Sequence, residues 1–232
     1  MVKQELIQRS PVRIFESSID GGLKAGEIGI IASQSGIGKT SVLVQVAMDK
    51  LMQGKKVIHV SFTQHTDYVL AWYEDIFDEI TKKKNLENAA EVKNEVIKNR
   101  VLMKFTQGGI SGDMILRSLK AMIREGGFAA EAVIIDGFDF SAAEDGHIAA
   151  VKQFAKDLGL SVWYSCTVQN GQYDKRNIPL VFQNYGELFD VIIVLEPKPD
   201  HIELTVSKER GAYNPEHMAL RLDPKTLLIL EE

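Results

Sequence analysis

Lys39, Thr40 and Ser41 directly follow a glycine-bearing turn in the segment Ile30-Ile31-Ala32-Ser33-Gln34-Ser35-Gly36-Ile37-Gly38-Lys39-Thr40-Ser41. The order of types is an apolar strand, a tight turn and a helix start. Gly36 and Gly38 permit positive φ, so successive N–H groups can turn inward around an anion at a helix N-terminus. Lys39 adds a mobile point charge for the outer phosphates, and Thr40 adds a hydroxyl for a Mg2+ that accompanies a nucleoside triphosphate. The segment therefore reads as a phosphate-binding loop, with Ser35, Gly36, Ile37, Gly38, Lys39, Thr40 and Ser41 as the cofactor-binding set. The following helix is expected to run from Ser41 to Met52 and to end at Gly54. One position departs from the pattern G-x-x-x-x-G-K-[ST], because Ser33 stands where the first Gly belongs. The competing reading is a Gly/Ser turn that happens to precede an amphipathic helix.

A phosphate loop needs a second carboxylate to hold the water shell of the Mg2+. Ala132-Val133-Ile134-Ile135-Asp136 is a buried-strand pattern that ends in an acid, so Thr40 and Asp136 are the expected metal side chains, Asp136 as a Walker B residue. Gly137 follows where many P-loop ATPases carry a catalytic Glu. The base therefore comes from elsewhere in the chain or is missing.

These residues need a sheet to hold them. Apolar runs alternate with amphipathic segments, which is the pattern of a largely parallel sheet with helices on both faces. Strands are expected at Glu27–Ala32, Lys56–Phe62, Val101–Phe105, Ala132–Asp136, Leu160–Ser165 and Val191–Leu195. Shorter ones at His201–Ser207 and Leu227–Leu230 imply a C-terminal antiparallel extension. The polar stretch from Tyr68 to Arg100, with Lys82-Lys83-Lys84 and Glu87, Glu91 and Glu95, reads as a solvated helical face rather than a basic patch for a partner.

The composition fits a single α/β domain over residues 1–232, with 1–20 as a lead-in segment. The chain has 232 residues, 45% of them hydrophobic and 25% charged, and a formal net charge of −5 that disfavours broad attraction to nucleic acid or anionic lipid. Its single cysteine, Cys166, lies in an apolar stretch and reads as a core residue. No apolar run is long enough to span a membrane, and Met1 to Arg9 lack the apolar region of a signal peptide, so a cytoplasmic location is expected.

Two further segments resemble a known family. Gly21-Gly22-Leu23-Lys24-Ala25-Gly26-Glu27 resembles the entry to the phosphate loop in RecA-like ATPases of the KaiC and replicative-helicase type. Val206-Ser207-Lys208-Glu209-Arg210-Gly211 is similar to the Lys-x-Arg-Gly segment that those proteins insert into a neighbour's nucleotide site. The resemblance runs from about Ile19 to Leu230. It implies a RecA-like P-loop NTPase fold, with ATP and Mg2+ at the C-terminal ends of the strands. It also implies a homo-oligomeric ring or filament in which Lys208 and Arg210 act in trans. Adenine preference comes from the resemblance, since no guanine-specific segment is visible.

After the second strand the chain departs from the family. Thr63 and Gln64 stand where one or two water-activating glutamates are found, and neither takes a proton at neutral pH. With Lys39, Lys208 and Arg210 they complete the set of candidate catalytic positions. Gln64 could orient a water, and His65 or Asp67 could replace the base. Strand alternation lets only one of the two side chains face the γ-phosphate, and the resemblance points to Thr63, which follows Phe62 as the first glutamate follows the family's aromatic. Two loops that touch nucleic acid in this superfamily are weakly equipped here. Gly137–Gly146 carries Asp139, Glu144 and Asp145, while Val168–Asn177 sets Lys175 and Arg176 against Asp174, with Tyr173 as a stacking candidate. Gln169 and Cys166 stay open as γ-phosphate sensors. The reading is a regulatory or assembly ATPase with slow hydrolysis, no nucleic acid and an unidentified protein partner. The rivals are a DNA-dependent motor or recombinase-like ATPase and, last, a small-molecule kinase.

Overall fold

A computed structural model describes residues 10–62, 65–84, 89–106, 112–143, 146–169, 172–213 and 216–232. A short helix α1 (Pro11–Ser17) leads into β1 (Ile28–Ser33), followed by α2 (Lys39–Met52) and β2 (Val57–Ser61). Then come α3 (Thr66–Lys84), α4 (Ala89–Lys98), β3 (Arg100–Lys104), α5 (Gly112–Lys120) and β4 (Ala132–Asp136). Helix α6 (His147–Leu158), β5 (Ser161–Thr167) and β6 (Val191–Pro197) follow, and β7 (Ile202–Glu209), β8 (Glu216–Leu222) and β9 (Ile229–Glu231) end the chain.

Among the described residues, nine strands form one sheet in the order β3-β2-β4-β5-β1-β6-β7-β8-β9. The first six pair in parallel, and β7 to β9 continue antiparallel. This is the expected α/β class, a largely parallel sheet flanked by helices with a C-terminal antiparallel extension. The central strands read as unbroken apolar runs because both faces are covered: every residue of β1, β2 and β4 is buried. On one face α1 to α4 and the β7–β9 extension pack around Phe15, Ile31, Leu43, Val57, Tyr73 and Leu220. On the other, α5, α6 and the chain between β5 and β6 pack around Ile30, Ile58, Leu116, Phe154, Tyr164 and Phe189.

Strand β4 has the expected bounds, the other expected strands shift by one or two residues at an end, and β8 is a strand that the expectation left out. It alternates, with Met218, Leu220 and Leu222 buried between exposed neighbours. A half-exposed edge region lacks the dense apolar run that marks the inner strands.

One buried group makes stability depend on pH. His59, fully buried in β2, bonds through Nδ1 to the Tyr73 hydroxyl at 3.1 Å, and the Arg100 guanidinium lies 4.3 Å from the centre of the Tyr73 ring. Burial pushes the His59 pKa down to about 4; nearby Asp136 opposes the shift and Arg100 adds to it. Between pH 6.5 and about 4 the unfolded chain takes up a proton that the folded chain refuses. This contribution is therefore intact above pH 6.5 and is lost as pH falls through that window, by about 3 kcal/mol in all. Urea midpoints measured across the window are expected to fall less steeply for His59→Gln than for the wild type. Parallel slopes would show that the histidine does not carry the effect.

Candidate functional site

The turn between β1 and α2 has the backbone that the glycines allow, with φ of 79° at Gly36 and 111° at Gly38. A Cβ added at Gly38 would stand 2.5 Å from Leu222 Cδ2 of β8, so space and dihedral both demand glycine there. Lys39 is the first residue of α2 and is 8% exposed. Its ammonium reaches back across the turn and donates to Gln34 O at 2.7 Å, Ser33 O at 3.2 Å and Ser33 Oγ at 3.3 Å. Burial lowers the Lys39 pKa, and the Asp136 carboxylate works against that shift. Ser33, in place of the usual glycine, is fully buried and donates its hydroxyl to Gln34 O at 3.0 Å. The departure from the sequence pattern is thus accommodated and adds a bond to the lysine.

Asp136, 2% exposed, ends β4 on the same side of the sheet. Its Oδ2 accepts from Thr40 Oγ1 at 2.9 Å, and its Oδ1 accepts from Ser165 Oγ at 2.5 Å. Ser165 belongs to β5, the strand between β1 and β4, and its oxygen accepts from Gly137 N at 2.8 Å. Lys39, Thr40 and Asp136 therefore converge on a cavity of about 390 Å³, which Ser35, Gly36, Gly38, Trp72, Thr167 and Leu227 also line. A buried ammonium, a hydroxyl and a carboxylate around a helix N-terminus suit a polyphosphate with a divalent cation.

Two members of the expected loop set have other side-chain duties. Ile37 packs against the apolar core. The Ser41 hydroxyl donates to Leu227 O at 2.6 Å, where Gln45 Nε2 also donates at 2.9 Å, while Gln45 Oε1 accepts from Ile229 N at 2.8 Å. The hydroxyl of Ser41 thus fastens the C-terminal turn to α2 and leaves its backbone for a ligand. Sequence reasoning missed Ser165, Trp72 and this Gln45–Leu227 tie. A serine inside an otherwise apolar strand was the available signal for Ser165.

Thr63 and Gln64 lie outside the described residues, as do Glu144 and Asp145. His65 and Asp67 pair with each other at 3.1 Å on the exposed start of α3 and do not line the cavity. Cys166 is buried, and burial pushes its thiol up to about 12, so it behaves as a core residue. Gln169 lines a second cavity of about 320 Å³ with Asp139 and Gln172; the two cavities share Gly137 and Thr167. In the second loop, Tyr173 packs against the core and Arg176 is engaged by Asp174 and by the Tyr213 ring.

Lys208 and Arg210 lie at the opposite end of the sheet from the loop of their own chain. Strand β7 runs antiparallel to β6 and ends beside Val191, the first residue of β6, whereas the turn that carries Gly36 and Gly38 follows the last residue of β1. The Lys208 ammonium is buried and donates to Gly186 O at 2.7 Å. Arg210 forks onto both carboxylate oxygens of Glu27, at 2.9 and 3.0 Å, and also bonds Ile19 O, Gly22 O and Glu209. All five guanidinium N–H groups are used. Within one chain, then, the Lys-x-Arg segment fastens the β7 end to the entry segment before β1, and neither cation is presented to solvent as a free finger.

Among the described residues, no helix is long and apolar enough to cross a membrane. No family model matches the chain. Over 47 residues it is 41% identical to the DNA repair protein RadA of Aquifex aeolicus (strain VF5), a RecA-family protein; that stretch is 20% of this chain and 10% of RadA. The mostly parallel sheet is consistent with a RecA-like fold.

Proposed function

We propose that this chain binds Mg-ATP, hydrolyses it slowly and uses it to control its conformation and assembly, as a KaiC-like regulatory module. The observation that carries the reading is the convergence of Lys39, Thr40 and Asp136 on one cavity at the end of the parallel strands. Lys39 and the loop amides would hold the phosphates, and Thr40 and Asp136 would hold the Mg2+, which supplies charge neutralisation to the phosphate oxygens. Slow hydrolysis rests on Thr63 and Gln64 in place of acidic residues. Trp72 lines the cavity while Trp163 is buried in the core, so titration with Mg-ATP is expected to change the Trp72 emission and to leave that of a Trp72→Phe variant unchanged. Calorimetry showing no Mg-ATP binding would end the proposal.

The likeness to a DNA repair protein favours a second reading, a DNA-dependent ATPase. The net charge of −5 and the engaged Arg176 weigh against it. Submicromolar binding to single- or double-stranded DNA with a steep salt dependence would favour that rival.

Assembly is part of the proposal. Because Lys208 and Arg210 stand far from their own phosphate loop, a nucleotide contact must be with another subunit's, and Arg210 would then exchange the Glu27 carboxylate for phosphate oxygens. Sedimentation is expected to show a larger species with Mg-ATP than with Mg-ADP, and Arg210→Ala is expected to abolish the difference. A chain that stays monomeric at every concentration with either nucleotide would exclude the trans role.

A further inference from the structure

We propose that Ser165 is a positioning residue for the divalent cation, acting through Asp136; the inference rests on the Mg-ATP reading. Ser165 is 1% exposed in a strand whose neighbours Trp163, Tyr164 and Cys166 are all buried. A hydroxyl in such a place is tolerated only when both its donor and its acceptor capacity are used, and here they are. Its oxygen accepts from Gly137 N at 2.8 Å and lies 2.5 Å from Asp136 Oδ1. An amide N–H can only donate, so the hydroxyl proton points at the carboxylate. The 2.5 Å separation is at the short end for a hydroxyl on a carboxylate oxygen.

A lone carboxylate at a strand end turns freely about its last torsion, because the minimum there is broad. Asp136 is held at both oxygens, by Thr40 from the loop on one side and by Ser165 from the sheet on the other. The two anchors differ in kind. Thr40 sits in the segment that receives the phosphates, whereas Ser165 sits in a strand paired on both sides, with β1 and with β4. Ser165 thus fixes which carboxylate oxygen faces the cavity, whatever Thr40 does. Its loss leaves Asp136 with one hydroxyl anchor and strips the Gly137 amide of this acceptor.

The test compares Ser165→Thr, which keeps the hydroxyl on a β-branched side chain, with Ser165→Val, which has nearly the same shape and lacks it. The readouts are the Mg2+ concentration that half-saturates ATP binding, the same titration with Mn2+, and ATP affinity in EDTA. Ser165→Val is expected to raise the half-saturating Mg2+ on the order of tenfold, the scale of loss when a ligand's own hydrogen-bond partner is removed. Ser165→Thr is expected to stay close to the wild type, and the affinity in EDTA to be unchanged in both. If Ser165→Val does not fold, Ser165→Ala takes its place. Wild-type metal dependence in the variant without the hydroxyl overturns the proposal. So does an equal loss in both variants, which would mean packing, or an equal loss with and without metal. Wild-type protein that binds no ATP at all overturns the nucleotide reading itself, a result seen before any variant is compared.

Discussion

Lys39→Ala is expected to weaken Mg-ATP binding by ~100-fold or more with little change in thermal midpoint. The ammonium is held over the loop by Gln34 O, Ser33 O and Ser33 Oγ, all within one turn of chain, and is nearly buried. In that setting a phosphate gains charge-assisted hydrogen bonds worth about 1.5–3 kcal/mol each, and losing one or two of them accounts for the factor. The fold is expected to tolerate the loss, because Ser33 O also accepts from Val168 N and Gln34 O also accepts from Ser33 Oγ, so neither carbonyl is left without a donor. Calorimetric titration of the two proteins decides the matter, and wild-type affinity in the variant would show that this loop is not the nucleotide site. Asp136→Asn is the companion: it should keep affinity for ATP in EDTA while removing most of the gain that Mg2+ brings, since its carboxylate acts on the metal shell.

Thr63→Glu is expected to raise ATP turnover by about tenfold or more, with ATP affinity little changed. A positioned general base contributes on the order of 10²- to 10⁴-fold, and restoring one recovers part of that. Gln64→Glu tests the neighbouring register and is expected to do less, because the resemblance favours Thr63, which follows Phe62 as the first glutamate follows the family's aromatic. Steady-state phosphate release at saturating Mg-ATP reads both variants. Fast turnover in the wild type that disappears on changing His65, Asp67 or Asp139 would show a relocated base. The exposed His65–Asp67 pair, away from the cavity lining, weighs against that outcome.

The turn between β1 and α2 was legible because its information is local. Glycines that take positive φ, a lysine at the first helical position and an apolar strand before them are all read within one short stretch. The strand β4 with Asp136 was legible for a similar reason: a strand buried on both faces must be apolar throughout, so an acid at its end stands out. The extension was harder. Strand β8 buries one face only, and its alternating pattern between polar residues gave a weak signal.

The segment around Arg210 shows what resemblance leaves open. The likeness of Lys208-Glu209-Arg210 to the family's segment implies contact with a neighbour's nucleotide and says nothing of what holds these cations within one chain. The fold brings Glu27, 183 residues earlier in the chain, beneath the guanidinium and occupies its donors. Ser165 shows the converse. A serine in a strand says nothing by itself, and becomes informative only when β5 is placed between β1 and β4, where its hydroxyl meets a carboxylate 29 residues away. Sequence by itself determined the α/β class, the loop and the identity of the lysine, threonine and aspartate around it, because backbone freedom, burial period and charge type are properties of short segments. Tertiary structure decided that Ser165 anchors the aspartate, that Ser41 and Gln45 hold the C-terminal turn, and that Arg210 is tied to the entry segment. Each of those depends on which strands are neighbours, and strand order is set by the packing of the whole sheet.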